Sequence, residues 1–199
     1  MRAKSTSALL AGVVCFAVVA AGCGDIARQD RSPVMLVIEF LGGASGATGG
    51  STFGGTLQSD VVTLKDGNAT VFSDAGQVRM RFTMKDTLTT PSALNAVTIN
   101  RYRVTYRRSD GFNTPGVDVP YPFDSAMTFT IAPGGVVTQG FELIRHIAKQ
   151  EAPLMALRAN PVVISTVADV TFFGRDQAGN ELSVTGSMGV QFGNFADPD

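Results

Sequence analysis

The stretch "ELSVTGSMGVQF" (181–192) sets Leu182, Val184, Gly186, Met188, Val190 and Phe192 on one parity, with polar residues or glycine between them. A period of two sustained over that length fits no helix. It describes a strand with one face on a core and the other in water. The same rhythm recurs in "QVRMRFTMK" (77–85), where Val78, Met80, Phe82 and Met84 alternate with Arg79, Arg81 and Thr83. It returns in "MTFTIA" (127–132), where Met127, Phe129 and Ile131 alternate with threonine. The β-branched and aromatic run 162–176 precedes the turn "QAGN" (177–180), so 162–176 and 180–192 should pair as a hairpin. Asp66-Gly67, between Val61–Lys65 and Ala69–Phe72, marks a second hairpin.

"AVTINRYRVTY" (96–106) is a special case. Val97 and Ile99 share one parity, and Tyr102, Val104 and Tyr106 share the other. One extra residue at Asn100-Arg101, a β-bulge, would keep all five apolar side chains on the core. "PVMLVIEFL" (33–41) is apolar on both parities at first, which predicts a strand covered on both faces.

Helix is scarce. Residues 140–149 fit either a helical face or a strand with Phe141, Leu143 and Ile147 inward, and the strand is preferred. Residues 152–161 should hold one short helix, with Pro153 in its first turn and Pro161 closing it. The segment 42–55 has seven glycines in 14 residues, which predicts a mobile surface loop. Together these features predict an all-β fold: an immunoglobulin-like antiparallel β-sandwich of about nine strands, with one short helix and a Gly-rich loop.

The two cysteines, Cys15 and Cys23, both precede this pattern. Arg2 and Lys4 lead into the uncharged run Ala8 to Gly22, which is shorter than the ~20 residues a spanning helix needs and ends in small residues, as a cleaved signal does. Ala20-Ala21-Gly22-Cys23 resembles the lipobox of bacterial lipoproteins, with Ala20 where leucine is usual. That resemblance implies cleavage before Cys23 and a diacylglyceryl group on its thiol. The expected organisation is a signal peptide at 1–22, a lipidated tether at 23–32 and a β-sandwich domain at 33–199. Gly24, rather than aspartate, after the cysteine points to the outer membrane over the inner one.

Without Arg2 and Lys4 the 16 basic residues become 14 against 17 acidic, a net charge of −3. Nucleic acid, which calls for a clustered basic footprint, is not expected as a partner. Three stretches, "SDVVT" (59–63), "DGFNTPGVDVPYPFDSAMTFTI" (110–131) and "ADVTFFGRDQAGNELSVTGSMGVQFGNFADPD" (168–199), resemble a group of bacterial envelope lipoproteins with an immunoglobulin-like sandwich behind a lipobox. The resemblance implies fold and address and transfers no site.

Chemistry is thin. His146 is the only histidine, it lies in a segment that reads as structural, and no nucleophile-elbow pattern occurs. No catalysis, cofactor or metal is expected. The richest loop is 109–125. Asp110, Asn113, Asp118 and Asp124 there offer hard oxygens, while Tyr121 and Phe123 offer flat apolar faces. Calcium wants six to eight oxygens, and sugars want polar groups beside an aromatic platform. The same residues also make ordinary turns. The expected function is a non-catalytic, lipid-anchored envelope protein serving adhesion, scaffolding or assembly. It would meet the membrane through Cys23 and bind an envelope protein or glycan partner. The alternative is a calcium- or glycan-binding module using the 109–125 loop.

Overall fold

The computed structural model describes residues 31–195. The predicted signal peptide and all but the last two residues of the predicted tether lie outside the described residues, and so does Cys23. Ten strands form within them: β1 (Val34–Ala44), β2 (Thr56–Asp60), β3 (Thr63–Lys65), β4 (Asn68–Thr70), β5 (Asp74–Met84), β6 (Val97–Arg107), β7 (Phe123–Ile131), β8 (Val137–Ile144), β9 (Ile164–Asp176) and β10 (Glu181–Gly193). One sheet has the order β1-β5-β8 and the other β2-β10-β9-β6-β7, with β3 and β4 as a separate hairpin. Neighbours run antiparallel except β2, which lies parallel to β10.

The chain is therefore all-β and sandwich-like, with side chains of both sheets sharing one core. Its connectivity is immunoglobulin-like. β5 and β6, consecutive long strands, sit in opposite sheets, and the closing hairpin β9–β10 lies beside β6. Among the described residues no helix is long and apolar enough to cross a membrane.

The predicted closing hairpin forms, pairing from Glu181 opposite Arg175 to Phe192 opposite Ile164. Met188, Val190 and Phe192 are buried, while Leu182, Val184 and Gly186 are half-buried. Gly186 is small for a reason: a Cβ there would come within 2.9 Å of Ile38 Cδ1 on the facing sheet. The Asp66-Gly67 turn has positive φ at both residues (52° and 76°), as a two-residue hairpin of this twist requires.

The parity slip in β6 is a bulge. Register shifts between Ile99 and Arg101 against both β7 and β9. Asn100 and Arg101 face water, and Val97, Ile99, Tyr102, Val104 and Tyr106 are all buried. β1 carries a second slip, between Ile38 and Phe40. This corrects the two-sided reading of 33–41. Val34, Leu36 and Ile38 share one parity before the slip, and Leu41 stands on the other after it. Met35 is 49% exposed, and Glu39 turns outward to Arg79 and Arg81 at 3.2 and 2.9 Å.

Four further expectations shift in detail. β8 ends at Ile144, and a 3-10 helix follows over His146–Gln150, so Ile147 is exposed rather than inward. The short helix is a 3-10 helix over Leu154–Ala159 that buries Leu154 and Leu157, with Pro153 as its cap rather than in its first turn. The Gly-rich segment begins as strand: Gly42, Gly43 and Ala44 pair with β5 and are buried. A side chain at Gly43 would press on Leu143, Met188 and Leu57, so glycine there lets the two sheets approach. Ser32, at the edge of the predicted tether, is already buried.

Candidate functional site

The connection from β6 to β7, residues 108–122, is held by its own polar groups. The Arg108 guanidinium grips Asp110, with Nε 3.1 Å from each carboxylate oxygen. The Arg108 amide donates to Asn113 Oδ1 at 2.5 Å, and Asn113 Nδ2 donates back to the Arg108 carbonyl at 3.3 Å. Farther along, the Thr114 amide donates to Asp118 Oδ2 (3.0 Å) and the Gly116 amide to the Val119 carbonyl (2.8 Å). Gly116 has φ 76° and lies under the Tyr121 ring, where no side chain would fit. Buried Val119 and Phe123 anchor the loop to the core.

Phe123 is thus a core residue and offers no outward face. It meets Tyr102 edge-on at 6.2 Å. The large apolar side chains that do reach water are Phe112, Val117 and Tyr121, at 61%, 66% and 52% exposure. Phe112 and Val117 are the residues sequence reasoning passed over. Their signal was present, because each sits between glycine and a polar residue inside a turn-rich segment.

The predicted oxygen ligands are not brought together. Asp110 belongs to Arg108, whose hydrogen bond holds its carboxyl below the usual aspartate range. Asn113 and Asp118 tie down backbone amides. Asp124 lies on β7, where Arg103 (2.7 Å) and Arg101 (3.3 Å) reach it from β6; the Arg103 hydrogen bond likewise holds it low. Among the described residues no three His, Cys, Asp or Glu side chains gather as a metal site.

The outer face of the five-stranded sheet continues this lattice. Arg107 pairs with Asp169 at 2.6 Å, Arg175 with Glu181 at 2.5 Å, and Arg101 stacks 3.9 Å over the Phe173 ring. Tyr102 and Tyr106 point the other way, donating to the carbonyls of Glu142 (3.0 Å) and Leu143 (2.8 Å). The interleaved Tyr–Arg run is therefore a packing row with a wet face. His146 is exposed at the start of its 3-10 helix.

Two carboxylates on this sandwich tie stability to pH. At Asp176 desolvation raises the pKa, but hydrogen bonds from Asn180, Ser32 and the Ala178 amide outweigh it and hold the group low. At Asp169 desolvation is again outweighed, by Arg107 and Ser187. Folded-state values below the unfolded ones contribute stability above the ordinary aspartate pKa. That contribution disappears as pH falls through the depressed values. Urea midpoints should therefore drop between about pH 5 and pH 2, and Asp176→Asn should flatten the drop. A midpoint that rises on acidification would contradict the assignment.

A different cluster lies inside the fold. Asp74 opens β5 with no solvent exposure, and Lys149, in the 3-10 helix after β8, is equally enclosed. Lys149 Nζ is 2.8 Å from Asp74 Oδ2. Ser59 Oγ donates to the same oxygen at 2.6 Å, and the Gly46 amide donates to Oδ1 at 2.9 Å. Burial pushes the pKa of nearby Tyr106 upward, with the Asp74 charge adding to the shift. Sequence reasoning missed this cluster, although Asp74 shares its parity with Val78, Met80 and Phe82 and so had to point inward.

Compared with known proteins, the chain matches no family model, and no curated protein matches it in sequence.

Proposed function

We propose that this is a non-catalytic, lipid-anchored envelope protein whose sandwich presents the 108–122 loop to a protein partner, in an adhesion, scaffold or assembly role. The observation that carries the reading is the contrast within that loop. Its polar side chains are spent on holding its own backbone, while Phe112, Val117 and Tyr121 stand in water. An ordered loop that presents aromatic residues loses little freedom on docking, and aromatic residues dominate binding hot spots. With Asp110, Asn113, Asp118 and Asp124 already engaged, apolar contact suits the loop better than calcium or sugar. The lipid on Cys23 would keep the module at the membrane, in the outer membrane by the Gly24 argument.

The test is capture from the native envelope by the immobilised protein. Phe112→Ser/Tyr121→Ser should reduce recovery of the captured protein about tenfold or more, with the melting temperature unchanged. Undiminished capture by this variant would overturn the loop as the contact surface.

A further inference from the structure

The Lys149–Asp74 pair is more than the proposed binding role requires. Two opposite charges without solvent are a poor way to gain stability, because desolvation of both opposes their attraction. The same enclosure excludes water from the contact, and the 2.8 Å Nζ–Oδ2 hydrogen bond gives a proton a direct path from the amine to the carboxylate. A nitrogen held 2.8 Å from Oδ2 also lies beside Cγ, the carbon bonded to that oxygen, so the two reacting groups are already brought together. We propose that Lys149 Nζ and Asp74 Cγ condense into an intramolecular amide, a covalent brace between the start of β5 and the 3-10 helix after β8.

The surrounding groups suit that step. As Nζ adds to Cγ, negative charge gathers on Oδ1, where the Gly46 amide already donates at 2.9 Å. A fixed backbone donor aimed at a developing oxyanion is an effective form of catalytic stabilisation. Oδ2 is the leaving oxygen, and it already accepts from both Ser59 and Lys149. The Nζ–Cγ bond forms and the Cγ–Oδ2 bond breaks. Of the three protons on the lysine ammonium, one stays on the amide nitrogen and two depart with Oδ2 as water. Ser59 ends unchanged, and neither oxidant nor cofactor is consumed. A cleft of about 390 Å³, lined in part by Gly46, Ser73, Asp74 and Glu142, lies beside the pair.

The brace also has a purpose. Residues 24–199 contain no cysteine, so no disulfide can staple this sandwich. An amide between positions 74 and 149 would restrain the unfolded chain as a disulfide does and would resist reduction.

Mass spectrometry of a tryptic digest of the full-length protein tests this directly. The linked form should yield residues 66–79 joined to residues 146–158, one water lighter than the two peptides together. Cleavage after Lys149 should be lost. Lys149→Arg keeps the positive charge and should release 66–79 as a free peptide. If the unmodified protein instead yields free 66–79 and is cut after Lys149 in full, the pair is an ordinary buried salt bridge and the proposal is wrong.

Discussion

Asp74→Ala is expected to lower the unfolding free energy by about 3–5 kcal/mol, because it leaves a buried lysine without its acid. Lys149 cannot reach water, with 1% of its side chain exposed. Ser59 and the Gly46 amide would lose their acceptor at the same time. The loss holds whether the two residues are ion-paired or joined. Asp124→Ala serves as the matched comparison, since it removes an aspartate from a surface pair with 41% of its side chain exposed. Its effect should be too small to separate from experimental scatter, as for most exposed ion pairs. Urea unfolding of both variants checks the contrast. Equal losses would mean that burial of the Asp74 cluster is overstated.

Phe192→Ala should cost a similar amount, about 3–5 kcal/mol, for a different reason. Phe192 is fully buried near the end of β10 and meets the Tyr106 ring edge-on at 5.8 Å. Removing the ring loses its transfer free energy and opens a cavity between the two sheets. Rigid strands on either side would fill that space only in part. The slope of the urea transition should stay the same while its midpoint falls. A loss below about 1 kcal/mol would place Phe192 at a yielding edge of the core rather than inside it.

The two parity slips show how far the fold could be read from the chain. In β6 the slip has polar Asn100 and Arg101 at its centre, so the bulge could be located to the residue. In β1 the same signal was overlaid by an apolar run, and Glu39 was the only polar residue left to mark it. Period-two patterning fixes which face of a strand is buried, but it carries no information on strand order. The parallel pairing of β2 with β10 was therefore illegible. The same limit hid the Lys149–Asp74 pair, whose members are distant in sequence and meet only in the folded chain. At the 108–122 loop, turn chemistry was legible, but the choice between Tyr121 and Phe123 was not. Both flank Pro122, and only the start of β7 turns Phe123 inward while Tyr121 stays in water.

Lipid attachment at Cys23 is the claim on which the envelope role depends, and metabolic labelling with a radiolabelled fatty acid followed by membrane fractionation tests it most directly. The wild-type protein should carry label, run at its processed size and sediment with membranes, whereas Cys23→Ser should lose the label and remain unprocessed or appear in the soluble fraction. A Cys23→Ser protein that is still processed, labelled and membrane-bound would contradict the account.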